Sequence, residues 1–502
     1  MSKKLPIFYS ALLLTAVNLL LRFAGTSFQV YLSGRIGAEG MGLLQLVMSV
    51  GSFSMIAGIA GIRTATMYLT AEEIGKQRKH NIPWVLSSCL SYSILCSGLI
   101  SASLYLLAPV LAKYWICDPK TTIALRIFAA CLPISCLCSV MTGYFTAANK
   151  IGTLAAVEVA EQFVSMIVSM YLLTIWGKGS AVRACISIIL GSCTGSILTL
   201  FCLIYLHNRD QIQAGTAIDV FPRLKSAAVP LALADILRSG ISTAENLIVP
   251  KRLALNTRVT NPLAVFGTVC GMVFPVLMFP ACILFGLAEL LIPELSRCNA
   301  ANHPIRIQYL VKRSLKITLL YALLISGLLY LLSENLCTAL YNSQEAGIYL
   351  EKYALLIPML YCDIIVDSMI KGLGQQKRSV IYNILTSAID VIMLFILLPR
   401  YGMRGYYLSF VISHAVNFTL SLRLLLKISK ASISFHIPIC SIISVLISIL
   451  VCSFFDAIAS CIFVYIFLSF SLFYLLGIVQ KEDIQWMKTI VTGNSKKIVP
   501  AT

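Results

Sequence analysis

The sequence predicts an all-α polytopic membrane protein of about fourteen transmembrane helices. Three observations lead to this fold class. The 502-residue chain is 58% hydrophobic and only 12% charged, unlike a water-soluble domain. Apolar runs of about 20 residues, which a helix needs to cross about 30 Å of hydrocarbon, recur along the whole chain. The runs are continuous, whereas strands of a membrane β-barrel would form short alternating segments.

The apolar runs define the predicted helices in order. They cover residues 7–32, 41–69, 84–108, 122–147, 153–176, 181–206, 227–249, 262–292, 314–333, 349–370, 379–398, 405–426, 436–455 and 458–478. The first run exceeds a signal-peptide core and lacks a small-residue cleavage pattern, so we interpret it as a retained helix. The longest polar stretch is the tail after Gly477, so no separate soluble domain is predicted.

Basic residues predict the orientation of the chain. With a cytoplasmic N-terminus, most of the 39 Lys and Arg residues fall in cytoplasmic segments, so the positive-inside rule places both termini in the cytoplasm. The loop with Lys251, Arg252 and Arg258 departs from this rule. The net charge of +18 comes mostly from this excess of cytoplasmic Lys and Arg, which anionic lipid headgroups would also favour. No basic domain suited to nucleic acid is predicted.

Two pairs of segments indicate an internal duplication. Residues 18–35 align with 234–251, so that Arg22 matches Arg238 and Gln29 matches Glu245; residues 133–150 align with 358–375 in the same order. Two six-helix lobes of equal orientation are therefore expected, related by an axis along the membrane normal. The predicted organisation is an N-terminal lobe at 1–206, a cytoplasmic linker at 207–226, a C-terminal lobe at 227–430, two further helices at 431–478 and a cytoplasmic tail at 479–502.

Arginines inside the apolar runs are the first candidate site residues. Arg22 lies about 22 Å into its helix at 1.5 Å per residue, too deep to reach either surface easily. We expect its charge, and that of Arg238 at similar depth, to face an aqueous cavity or a partner. Asp235, one turn before Arg238, could form an ion pair with it. Arg63, near the cytoplasmic end of helix two, either faces the same cavity or snorkels to the surface.

Acidic residues within the hydrocarbon span are the second group. Glu245 follows Arg238 by seven residues and therefore shares its helical face. Such acids serve proton or cation coupling, or they form interhelical hydrogen bonds. The group comprises Glu158, Glu161, Glu245, Glu289, Asp363, Asp367 and Asp390.

Enzymatic functions find little support in the sequence. The phosphate-binding loop of ATPases is missing, and the five histidines are too scattered for an H-E-x-x-H zinc site. A membrane glycosyltransferase would normally carry a large polar loop or domain. We therefore predict a transporter without its own ATPase, and neither an enzyme nor a bound cofactor.

Several segments carry a resemblance to a known family. "LLLTAVNLLLRFAGTSFQVYLSGRIGAEGMGLLQ", "AGIAGIRTATMYLTAE", "GYFTAANK", "EVAEQF", "IKGLGQQKRSVIYNIL" and "LPRYGMRGYYLSFVISHAVNFTLSLRLLL" occur in that order. Together they resemble the stage V sporulation protein B group of polysaccharide-type flippases, in the multidrug/oligosaccharidyl-lipid/polysaccharide (MOP) exporter superfamily. The resemblance implies two six-helix lobes in a V shape, two extra C-terminal helices, alternating access and a bacterial cytoplasmic membrane.

The resemblance also implies a substrate and roles for residues. The substrate would be a lipid-linked sugar carried on undecaprenyl pyrophosphate, or a peptidoglycan precursor, for envelope or spore-cortex synthesis. Because cavity arginines hold the pyrophosphate in similar lipid II flippases, that role falls on Arg22, Arg63 and Arg238. Membrane lipids and envelope-synthesis enzymes are the implied partners.

Ion coupling is implied by the same resemblance. Sodium or protons would drive return of the empty carrier, and Asp235, Asn383 and Asp390 are the candidates for a sodium site. Gln29, Glu161 and Glu245 complete the candidate polar cavity. Two alternatives stay open: a cation-coupled multidrug antiporter of the same fold, and a non-transporting membrane scaffold.

Overall fold

The computed structural model of the chain describes residues 5–176, 180–209, 220–432, 436–452, 454–455 and 457–479. These ranges are helical and contain no β-strand, which confirms the predicted all-α class. The helices are α1 Leu5–Ile59, α2 Ile62–Gly75, α3 Ile82–Leu111, α4 Thr122–Ala147, α5 Ile151–Ile175, α6 Ala181–Asn208, α7 Phe221–Leu253, α8 Pro262–Phe266, α9 Phe274–Met278, α10 Cys282–Ala300, α11 Pro304–Tyr341, α12 Gln344–Ala354, α13 Ile357–Gly372, α14 Gln376–Tyr401, α15 Met403–Ser429, α16 His436–Cys452 and α17 Ile458–Leu475.

Most of these helices are long and apolar enough to cross a membrane. In the described part of the chain nine spans meet this description, or eleven if each of two bent helix pairs counts as one span. The helix α16 is apolar but shorter than these spans. The helix α7 has 33 residues, but it carries more charged side chains and is not one of the nine apolar spans. These elements are consistent with the predicted count of about fourteen.

The first helix, α1, contains two predicted spans. Gly37 has φ 69° and ψ −179°, which interrupts the helical backbone between the two arms. The apolar segment Leu19–Gly75 has 57 residues, or about 85 Å of helix at 1.5 Å per residue. Since the hydrocarbon layer is only about 30 Å thick, the segment must cross it twice.

The predicted helix at 41–69 is divided in two. Ala60 and Gly61 both have positive φ, so α1 ends at Ile59 and α2 begins at Ile62. A Cβ on Gly61 would lie 2.6 Å from the carbonyl oxygen of Ala228. Glycine therefore permits both the left-handed turn and the close approach of α7 at this point. Hydropathy alone gave no sign of the break.

Two other predicted helices are bent. The predicted helix at 262–292 bends by 61° before α10, and the one at 349–370 bends by 57° between α12 and α13. Backbone carbonyls freed near these breaks accept hydrogen bonds from side chains: Tyr361 Oη donates to Leu277 (2.7 Å), Tyr321 Oη to Pro280 (2.7 Å) and Ser326 Oγ to Ala354 (2.8 Å). Broken helices are tolerated in a membrane when neighbouring side chains satisfy the backbone in this way.

The chain forms two compact units. The N-terminal unit comprises the described residues of 12–272 and 387–406, and the C-terminal unit those of 1–11, 273–386 and 407–502. In the N-terminal unit a buried apolar core joins α2, α3, α4 and the start of α7. In the C-terminal unit α16 and α17 pack on α11 around the fully buried Tyr465, whose hydroxyl donates to Leu324 (3.0 Å). The division into lobes at 206 and 227 stays a prediction.

Candidate functional site

The first candidate arginine lies on the first arm of α1. Arg22 is exposed and Gln29 is half-buried. The two residues are seven positions apart, so they lie on one face of the helix. Thr26 Oγ1 donates to the backbone carbonyl of Arg22 (2.9 Å).

The helix α7 packs along the second arm of α1. Thr243 Oγ1 donates to the backbone carbonyl of Ser49 (3.2 Å), and Asn246 Nδ2 donates to its hydroxyl (3.0 Å). These hydrogen bonds fix the rotation of α7 about its own axis. They therefore decide which of its charged residues point away from α1.

The charges of α7 lie largely away from this contact. At about 100° per residue, Arg238 and Glu245 lie roughly 140–160° around the helix from Thr243 and about 80–100° from Asn246. Arg238 and Asp235 are both exposed. Among the described residues no ion pair joins these two, so the alternative of a local Asp235 to Arg238 pair is absent from this structure.

Glu245 meets α14 within the same unit. It is half-buried, the hydroxyl of Ser387 lies within hydrogen-bonding reach of its carboxyl group, and Asp390 is close enough to repel it. Neighbouring acids inside a membrane serve ion coupling or form interhelical hydrogen bonds, and both interpretations stay open for this pair. The pair unites two of the predicted coupling residues.

The third arginine and two acids lie among α2, α5 and α6. Arg63 is exposed in the first turn of α2, and its charge interacts with Glu158 on α5. Glu161 Oε1 accepts a hydrogen bond from Ser196 Oγ (3.2 Å), and its Oε2 accepts one from Thr199 Oγ1 (2.8 Å). Both oxygens of Glu161 therefore bind α6, an interhelical contact.

The candidate sodium ligands fall in different units. Asp235 and Asp390 belong to the N-terminal unit, whereas Asn383 belongs to the C-terminal unit, where its backbone carbonyl accepts from Thr386 Oγ1 (3.1 Å). In the described ranges no group of three or more His, Cys, Asp or Glu side chains could hold a metal ion. A sodium site at these three residues stays a prediction.

The structure shows two polar contacts whose partners the sequence does not predict. Asp363 Oδ2 accepts from Asn417 Nδ2 (2.9 Å), which joins α13 to α15. Buried Glu73 accepts from Asn81 Nδ2 (2.8 Å) and Arg223 Nη1 (3.1 Å), which joins α2 to the start of α7. The sequence signal was an acid inside an apolar run for Asp363, and an acid just beyond an apolar run for Glu73.

Comparison with known proteins assigns the family. The MatE family profile matches residues 15–172 and 255–396, more than half of the chain. The chain belongs to the MatE family. Among relatives of this MatE protein, stage V sporulation protein B of Bacillus subtilis (strain 168) is 22% identical over 455 residues, which cover 86% of this chain and 88% of that protein.

Solved structures share the fold of this MatE protein. Lipid II flippase MurJ in an inward closed conformation has a TM-score of 0.70 and 17% identity, covering 91% of this chain and 97% of that one. An inward-facing multidrug resistance MATE family transporter of the MOP superfamily has a TM-score of 0.66 and 15% identity, covering 83% and 99%. The predicted resemblance and fold class are confirmed: the chain is a multi-pass membrane protein of the MOP superfamily of transporters and flippases.

Proposed function

We propose that this protein is a flippase for a lipid-linked sugar, an undecaprenyl-pyrophosphate oligosaccharide or a peptidoglycan precursor. It would cross the bacterial cytoplasmic membrane by alternating access and supply envelope or spore-cortex synthesis. The observation that carries the proposal is Arg238. Its guanidinium is exposed within a membrane-length helix and has no ion-pair partner among the described residues.

The chemistry of the substrate fits this observation. A pyrophosphate cannot pass through hydrocarbon bare, because removing its charge from water is too costly. Arginine forks bind phosphate oxygens in bidentate fashion, and each such contact lowers the cost for both groups. One unit, the N-terminal unit, contains all three candidate arginines, Arg22, Arg63 and Arg238. It can therefore supply three guanidinium groups to a pyrophosphate. The lipid tail would stay in the bilayer during transfer.

Binding measurements test the arginines directly. We expect Arg238→Gln to weaken binding of a labelled undecaprenyl-pyrophosphate sugar roughly ten- to a hundredfold, the loss of a charge-assisted contact of about 1.5–3 kcal/mol. Arg22→Lys should keep part of the affinity that Arg22→Ala loses, since charge survives without the fork. Lys225→Gln, at an exposed position near the start of α7, is the matched control and should bind normally. Normal binding by Arg238→Gln with reduced thermal stability would instead assign that arginine a structural role.

A second candidate is a cation-coupled antiporter for multidrug or other small molecules. The proximity of Glu245 and Asp390 favours it, because paired acids can exchange a proton for a cationic substrate. Reconstituted protein should then extrude a cationic dye with a dependence on sodium or pH that Glu245→Gln removes. A flippase would instead transfer the labelled sugar lipid and leave the dye in place. Protein that does neither, and functions in cells without its cavity charges, would be a scaffold.

A further inference from the structure

One end of the N-terminal unit carries a group of basic side chains that we name the basic collar. Its members lie on α1, after α3, on α4, at the end of α7 and in the loop that follows α7. They are Arg35, Lys113, Arg126, Lys251, Arg252 and Arg258. All are exposed except the half-buried Arg252.

Several contacts hold the centre of the collar together. Lys251 Nζ lies 5.7 Å from the ring centroid of Trp115, which joins the end of α7 to the end of α3. The guanidinium of Arg252 lies 3.1 Å from the ring centroid of Phe395 on α14. The loop after α7 is fixed by Asn256, whose Nδ2 donates to the carbonyl of Pro399 (3.1 Å). These contacts fix the positions of Lys251 and Arg252 and of the loop that carries Arg258.

The collar has no acidic partner among the residues that the structure describes. In the described ranges no collar member has a carboxylate within 4 Å. Two acids of this unit lie at the same end and form no ion pair with a described collar member: Glu39 accepts from Asn261 Nδ2 (3.1 Å) and Asp118 from the backbone amide of Lys120 (3.0 Å). At the opposite end of the unit, by contrast, Arg223 is paired with acids.

The surroundings of the collar are those of a membrane interface. Leu106 and Leu255 are 75% and 59% exposed beside it. Arg126 and Lys113 lie over the rings of Tyr105 and Tyr114 at 4.9 and 5.3 Å from the centroids. Tyrosine and tryptophan rings mark the level of lipid headgroups, and long cationic side chains reach from apolar surface to that level.

We propose that the basic collar binds the phosphate headgroups of anionic phospholipids in the leaflet at this end of the protein. Charge complementarity favours an anion, because the collar forms no ion pair within the described ranges and only Glu39 and Asp118 are acids of this unit at the same end. The exposed apolar side chains and aromatic rings favour an anion attached to acyl chains over a soluble one. The arginines can hold phosphate oxygens as forks, and the lysines add point charges.

Lipid titration of the full chain tests the proposal. The probes are a phosphatidylglycerol and a phosphatidylcholine with the same acyl chains, titrated into protein in neutral detergent and followed by native mass spectrometry. We compare Lys251→Gln/Arg252→Gln/Arg258→Gln with a control of equal charge, Arg78→Gln/Arg209→Gln/Lys225→Gln, whose positions are exposed away from the collar. If loss of the Arg252 contact with Phe395 prevents folding, Lys251→Gln/Arg258→Gln replaces the triple variant.

The expected result is a loss of phosphatidylglycerol affinity of about tenfold or more in the collar variant, since each basic residue near an anionic surface contributes about fivefold. The control should change by about twofold or less, and phosphatidylcholine binding should not change. An equal loss in the control would overturn the proposal, because net charge alone would then explain binding. Binding of soluble polyphosphate with the same dependence on the collar, and at equal affinity, would assign the surface to a soluble polyanion instead.

Discussion

At the scale of single residues, Glu73 shows how this protein keeps a charge in its interior. Its side chain is only 3% exposed, and it accepts hydrogen bonds from Asn81 and Arg223. Arg223 also binds Glu72 at 2.7 Å, and Glu72 binds Lys76 at 2.5 Å nearer the solvent. A buried carboxylate is stable only while such donors compensate its lost hydration.

We expect Arg223→Gln to lower the free energy of unfolding by about 1–3 kcal/mol, because Glu73 then lacks a cationic donor. Thermal and chemical unfolding in detergent would measure the loss. Glu73→Gln/Arg223→Gln should recover part of it, since no buried charge remains. Lys76→Gln, which removes an exposed pair on the same helix, should cost less than about 0.5 kcal/mol. Additive effects of the two single substitutions at 73 and 223 would show that the residues are not coupled.

The same scale shows what the sequence could predict. Arg22 and Arg238 are recognisable because a charge in an apolar run is costly, whatever it contacts. Arg223 is not recognisable from the sequence, because basic residues are common beside a polar linker and its partner Glu73 lies 150 residues earlier. Asn417 is hidden for a similar reason, since its partner Asp363 lies on another helix. Contacts between residues distant in sequence depend on how the helices pack, and hydropathy carries no information about that packing.

At the scale of helices, the apolar runs predicted where the helices lie but not where a helix is broken or how far it extends. The predicted run at 314–333 extends to Pro304–Tyr341, because polar residues prolong a helix beyond the hydrocarbon. The run at 349–370 is broken before Pro358, whose nitrogen cannot donate to the preceding turn. The break is tolerated because side chains of neighbouring helices supply the lost hydrogen bonds.

The broken segment before α10 gives a prediction of this kind. Tyr361 is fully buried and donates to the carbonyl of Leu277, so Tyr361→Phe should leave that carbonyl unsatisfied and cost about 1–3 kcal/mol in stability. Unfolding temperature and hydrogen exchange of residues 274–285 would measure the effect. The exposed Tyr205 is the control, and Tyr205→Phe should leave both measurements unchanged. No change in Tyr361→Phe would mean that the carbonyl finds another donor.

At the scale of the whole molecule, basic residues obey the positive-inside rule only in part. The rule places both termini in the cytoplasm from the bias of all basic loops together. With that topology the chain crosses the membrane three times, through the first arm of α1, through the second arm continued by α2, and through α3, so the turn after α3 lies outside. The basic collar then belongs to the external leaflet, where the rule expects few cations. The excess of basic residues in the remaining cytoplasmic loops fixes the orientation and so keeps the collar cations outside. An anionic lipid bound at that surface would stabilise their charge.

Cys117 makes this topology testable. It lies in the turn after α3, close in sequence to Trp115, and is exposed, whereas the other cysteines are buried or half-buried. We expect a membrane-impermeant maleimide to label Cys117 in intact cells, and the Cys117→Ser variant to lose that label. Arg78→Cys, introduced at the opposite end of α3 in the Cys117→Ser background, should be labelled only after permeabilisation. Labelling of Cys117 only in permeabilised cells would show that the topology is the opposite one. The collar would then face the cytoplasmic leaflet, where anionic headgroups alone account for its charge.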